Sequence, residues 1–120
     1  MIPGLFFETK LLADVFLVEI KQPVGSLSDS VVFTQLDGVL SDLESAHSKR
    51  VLIDFCQTPY FGSALLEALR LLWNRVHANG GRMVLCNLSP LGREILELAK
   101  FDHLWPIVTD RETALQLLGD

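Results

Sequence analysis

Apolar positions along the chain follow two rhythms. Val51-Leu52-Ile53-Asp54-Phe55-Cys56 and Met83-Val84-Leu85-Cys86 are short, nearly continuous apolar runs. Strands buried on both faces of a sheet have this pattern. Elsewhere apolar residues recur at helical spacing. Val32, Leu36, Val39, Leu40 and Leu43 do so after Ser28 and Asp29, either of which can cap a helix; this helix is expected to end near His47. Gly38 inside it weakens it by about 1 kcal/mol relative to Ala. Leu65, Leu69, Leu72, Trp73 and Val76 mark a second helix from Ser63, stopped by Asn79-Gly80-Gly81. Gly80 suits the left-handed position that closes a helix. Ser89-Pro90 opens a third helix, with Leu91, Ile95 and Leu98 as its expected inner stripe. Trp105-Pro106-Ile107-Val108 is a last short strand with an exposed edge at Pro106. Thr109 or Asp110 then caps a helix that turns Ala114, Leu117 and Leu118 inward.

Before all of these, Phe6–Leu12 and Val15–Ile20 are extended segments that Ala13-Asp14 joins as a hairpin. Lys21 to Leu27 carries Pro23 and Gly25 and is a loop. The order is β-β-α-β-α-β-α-β-α. Helical crossovers make successive strands parallel, and the hairpin adds an antiparallel edge. The expectation is one α/β domain over residues 1–120, with a mixed sheet of four to five strands and about four helices.

Composition narrows the partners. A net charge of −5 argues against nucleic acid, whose phosphates need Lys and Arg. No apolar run is long enough to span a bilayer. Met1 to Phe7 lacks the basic and apolar regions of a signal peptide, and Cys56 and Cys86 each end an expected buried strand. Two reduced thiols fit a cytoplasmic protein.

Catalytic signatures are missing. His47, His77 and His103 sit at helix ends or in the turns that follow, without metal-ligand spacing, so neither a metal nor a cofactor is expected. There is no Gly-x-Ser-x-Gly elbow, dinucleotide fingerprint or P-loop. Asp54 resembles a phosphoacceptor aspartate at first sight, but the Mg²⁺-binding acids that would accompany it are lacking. Trp73, Trp105, Phe33, Phe61 and Phe101 serve either as core or as the lining of an apolar pocket.

Thr58-Pro59-Tyr60-Phe61-Gly62-Ser63-Ala64-Leu65 carries the most information. It leaves the carboxyl end of a central strand, where loops of parallel sheets bind ligands and partners. Ser63 is expected to cap the helix, stabilising it by about 1 kcal/mol. The same hydroxyl is a candidate phosphorylation site. A phosphate there meets the positive helix end and adds roughly two negative charges to the surface.

From about Val15 to Leu118 the chain resembles the STAS domain of anti-sigma factor antagonists, the SpoIIAA-like group. The resemblance rests on the strand Val51–Phe55, the loop Tyr60–Ser63, Asn79-Gly80-Gly81 with the strand to Cys86, Leu88-Ser89-Pro90, and the helix Asp110–Leu118. It implies a non-enzymatic regulatory domain that binds an anti-sigma factor with serine kinase activity, or another signalling protein. It also implies phosphorylation of Ser63. The family motif, Asp-Ser-Ser-Gly, reads Gly62-Ser63-Ala64-Leu65 here. A second family loop, Gly-x-x-Asp, corresponds to Gly25-Ser26-Leu27-Ser28, lengthened by Lys21-Gln22-Pro23. The partner-binding residues implied are Gly25, Ser26, Leu27, Ser28, Tyr60, Phe61, Gly62, Ser63, Ala64 and Leu65. Two altered loops on one face imply a divergent partner. The alternatives are a constitutive STAS scaffold in a signalling or lipid-transport complex, without a phospho-switch, and a small-ligand sensor.

Overall fold

The computed structural model describes residues 7–21, 29–58, 61–101 and 104–119. β1 (Phe7–Leu12) and β2 (Val15–Ile20) form the expected hairpin, in register from Phe7 opposite Ile20 to Leu12 opposite Val15. Ala13 turns it at φ 54°, a left-handed conformation that suits Gly better. Ser48 Oγ, donating to the Asp14 carbonyl at 2.6 Å, and the Arg50–Asp14 ion pair at 3.1 Å hold the turn from outside.

β3 (Arg50–Asp54), β4 (Arg82–Cys86) and β5 (Ile107–Val108) follow, each parallel to its predecessor, in the order β1-β2-β3-β4-β5. The strands are thus added in one direction. Right-handed crossovers then put every connecting helix on the same face. These helices are α1 (Asp29–Ala46), α2 (Ser63–Ala78) and α3 (Pro90–Leu98). Among the described helices, α4 (Arg111–Gly119), after the last strand, takes the other face.

Strand alternation divides the core accordingly. Phe16, Val18, Ile20, Val51, Ile53, Phe55, Met83 and Leu85 pack against the inner stripes of α1 and α2. Val15, Leu17, Leu52, Val84 and Cys86 meet Ala114 and Leu118 of α4. The α4 side is thin. One buried Leu contributes about 2 kcal/mol, and an isolated helix of this length is marginal in water.

Several expectations change. The α3 stripe is Gly92 and Leu96, with Ile95 half-buried; Leu91 and Leu98 are 50% and 78% exposed. Ser89 Oγ accepts from Gly92 N at 3.0 Å and sets the phase. A Cβ on Gly92 would stand 3.1 Å from both the Phe61 ring and Ser89 Oγ, a tight fit that would push these neighbours back by a few tenths of an ångström. Cys86 is buried as expected, but Cys56 is exposed: β3 ends at Asp54 and the chain turns at Cys56, φ 52°. Leu117 is 37% exposed while Ala114 and Leu118 are buried. The last strand is Ile107–Val108, and Trp105 before it is core. Phe61 is also core, and Phe33, Trp73 and Phe101 pack on its edge. Among the described residues no helix is long and apolar enough to cross a membrane.

The Gly80-Gly81 pair closes α2 by a Schellman motif. Gly80 has φ 73°; its N–H donates to His77 O at 3.0 Å, and that of Gly81 to Val76 O at 2.9 Å. A Cβ on Gly81 would lie 2.6 Å from the Lys49 carbonyl oxygen. Gly81→Ala is therefore expected to cost about 1–3 kcal/mol in urea unfolding, since backbone must move to admit the methyl.

Candidate functional site

The carboxyl ends of β2, β3 and β4 lie side by side, and the chain leaving β3 is tied to both neighbours. Phe55 N donates to Cys86 O at 3.0 Å and Gln57 N to Asn87 O at 2.9 Å, on the β4 side. Thr58 Oγ1 is 3.2 Å from Ile20 O and 2.6 Å from Phe55 O, on the β2 side. Cys56 and Gln57 are both left-handed, at φ 52° and 61°. Each costs about 1–2 kcal/mol for a residue with a Cβ. The flanking hydrogen bonds and the Asp54 carboxylate, which accepts from Cys56 N at 2.8 Å, hold them there.

Two carboxylates stand at this edge. Glu19 and Asp54 are paired across β2 and β3 and point to the α4 face. Their side chains are only 8% and 3% exposed. Arg111, the first residue of α4, reaches between them. Its Nη2 is 2.8 Å from Glu19 Oε2 and 2.8 Å from Asp54 Oδ2, and its Nε is 3.0 Å from the same Asp54 oxygen. Asn87 Nδ2 donates to Asp54 Oδ1 at 3.1 Å. Lys10 Nζ is 3.2 Å from Glu19 Oε1, an ion pair without hydrogen-bond alignment.

Burial pushes the Asp54 carboxyl up, but Cys56 N–H, Arg111 and Asn87 together outweigh it and hold it below its ordinary value. Glu19 behaves alike, with burial opposed by Arg111 and Lys10. Arg111 is raised, first by Asp54. Asp110 caps α4, accepting from Thr113 N at 2.8 Å, and so fixes where Arg111 starts.

Donor atoms of Glu19, Asp54 and Cys56 lie within 4.8 Å of one another. Arg111 already occupies both carboxylates, and burial, then the Asp54 and Glu19 charges, push the Cys56 thiol up to about 11. Cys86 is pushed up to about 12, first by burial. Both thiols are held protonated near neutral pH, and with Arg111 on both carboxylates the set reads as an ion-pair cluster.

Ser63 stands at this edge, but not as the cap. Gly62 is the N-cap, with extended backbone, and its carbonyl accepts from Leu66 N at 3.3 Å. Ser63 is the first helical residue, exposed, and no side chain caps α2. Gly62 is half-buried beside it. Phe61, Ala64 and Leu65, expected at the partner face, are packed in the core at 3%, 9% and 0% exposure, with the Phe61 ring tilted against Phe55 at 5.2 Å. Gly25, Ser26, Leu27, Ser28 and Tyr60 lie outside the described residues. The sequence reading missed the Glu19–Asp54–Arg111 cluster. Its signal was present: a carboxylate interrupts each of two buried strands near the carboxyl end, and such charges need a cation.

The model of the STAS domain matches residues 8–114. BtrV of Bordetella bronchiseptica, named as a candidate anti-sigma factor antagonist, is 31% identical over 80 residues, 67% of this chain and 69% of that protein. The crystal structure of a candidate anti-sigma factor antagonist from Thermotoga maritima superposes with a TM-score of 0.82 at 14% identity, covering 95% of both chains. The unphosphorylated form of the anti-sigma factor antagonist SpoIIAA gives 0.75 at 15% identity, over 95% of this chain and 97% of that one. At these identities the two structures establish the fold.

With both carboxyls held low, the folded state binds fewer protons than the unfolded one. Their contribution is complete above about pH 5 and is lost as pH falls through and below the ordinary carboxylate range. Arg111→Ala is expected to lower unfolding free energy at neutral pH by about 2–3 kcal/mol, discounted because Arg111 is partly in water. Urea titrations should show that gap narrowing below about pH 4, where the carboxyls protonate in the unfolded chain and then, at lower pH, in the folded one.

Proposed function

The chain belongs to the STAS domain family, and from that membership we propose that it acts as an anti-sigma factor antagonist. In this reading it works as one domain in the cytoplasm, without catalysis. It binds an anti-sigma factor with serine kinase activity through the face that carries Ser63. The observation that carries the proposal is the position of Ser63: exposed, first in α2, and released from capping because Gly62 takes that role. A hydroxyl without a structural duty can be modified without unfolding the domain. A phosphate on it lies against the free N–H groups of the first helical turn, which favour negative charge. The partner then meets roughly two added charges.

Burial sorts the departures from the family motif. Ala64 and Leu65 are covered by protein, so they serve packing rather than contact. Gly62 is the altered residue still at the surface, and it removes a carboxylate from the face the partner meets. That loss is what favours a constitutive scaffold, the second reading.

The two readings separate on one comparison, with the partner first identified by co-purification from the source cells and intact-mass analysis. Ser63→Asp is expected to weaken the complex about tenfold or more, roughly 1.4 kcal/mol. Ser63→Ala should leave binding unchanged and alter stability by no more than about 0.5 kcal/mol. Equal affinity of both variants, with Ser63 unmodified in cells, assigns the scaffold role instead.

A further inference from the structure

A groove on another part of the surface has the make-up of a second binding site. It runs between the later half of α2 and the chain that follows α3. Arg70, Trp73 and Asn74 line one side, and Lys100, Phe101 and Leu104 the other, around about 330 Å³. Its lining mixes aromatic and aliphatic carbon with polar groups: Trp73 and Phe101 are half-buried and Leu104 is 44% exposed, beside Arg70, Asn74 and Lys100. Behind them Trp105, 3% exposed, meets Trp73 edge-on at 5.9 Å and Phe101 at 5.6 Å.

Three features go beyond packing. Lys10, Lys21, Arg50, Arg75, Arg93 and Arg111 are all ion-paired. Arg70 and Lys100, both exposed at this groove, have no carboxylate partner among the described residues. Behind the groove, Trp105 Nε1 is buried without an acceptor among the described residues, which is costly for an N–H. Lys100 occupies a left-handed position, φ 63°, that Gly would fill without strain. In a chain of net charge −5, two cations without a carboxylate partner among the described residues stand beside an aromatic cleft, a make-up that suits an anion with an apolar body.

We propose that this groove docks an acidic peptide segment of a partner protein, one that sets Asp or Glu beside Leu, Phe or Trp. The carboxylate meets Arg70 and Lys100, and the apolar side chain lies on Trp73, Phe101 and Leu104. The cleft is at the low end of volumes that enclose small molecules, about 300–1,000 Å³, and it is open to solvent, which suits a side chain carried on a backbone. Trp73 is ten residues beyond Ser63, about 15 Å along the helix axis, so this site does not depend on the Ser63 reading.

The test selects a displayed library of random dodecamers on the full chain. Enriched peptides are then titrated while tryptophan emission is followed, since Trp73 and Trp105 are the chain's two tryptophans. The expected result is enrichment of acidic-apolar sequences and a saturable emission change. Arg70→Glu with Lys100→Glu should weaken binding about tenfold or more, with Arg70→Gln and Lys100→Gln intermediate and circular dichroism unchanged. Ser63→Asp should leave this binding as it was. No enrichment, enrichment without acids, or equal binding by the charge-reversed chain overturns the proposal. Benzoate binding as tightly as the peptides overturns it too, and assigns the groove to a small acid.

Discussion

Arg111 sits between two carboxylates that the sheet forces together. Parallel pairing of β2 with β3 sets Glu19 beside Asp54, on the face that α4 covers. Two buried like charges at neighbouring strand positions are unfavourable by several kcal/mol without a counter-ion. The guanidinium supplies it, and thereby fastens to the sheet a helix whose own apolar anchor is slight. The topology makes this necessary. Adding strands in one direction gives the first three helices to one face, and the fourth must be retained by other means.

The same cluster reaches the loop that leads to α2. Asp54 accepts from Arg111 with one oxygen and from Cys56 N–H and Asn87 with the other. The left-handed turn at Cys56 and Gln57 is held from there, and Thr58 fastens it to β2. Phe61 then sinks into the core against Phe55 and Gly92, and Ser63 emerges at the helix start. A charge cluster on one face of the sheet and an aromatic anchor on the other thus fix where one exposed hydroxyl stands. Under the proposed role, a fixed presentation lowers the ordering cost of the complex.

Much of this was legible in the sequence. The element order, the hairpin, the Gly80 closure of α2 and the Ser89-Pro90 start of α3 follow from short-range rules, and those rules held. What failed depended on contacts between distant residues. The inner face of α3 is chosen by the approach of Gly92 to Phe61, which no periodicity of Leu91, Ile95 and Leu98 can reveal. Ser63 gave way to Gly62 as cap because the loop enters the helix one residue earlier. Nothing beside Arg111 in the sequence marks its role, since its partners lie 57 and 92 positions away. Of the expected partner face, Gly62 and Ser63 reach the described surface, while Phe61, Ala64 and Leu65 do not.

The central claim is that the Arg111 cluster orders α4 and the loop before α2 as one unit. Native-state hydrogen exchange on Arg111→Ala tests it most directly. The account predicts that protection falls together at the Cys56 and Gln57 amides and along α4, while amides of α1 and of the middle of α2 keep theirs. Unchanged protection at Cys56 and Gln57, with loss confined to α4, would contradict it.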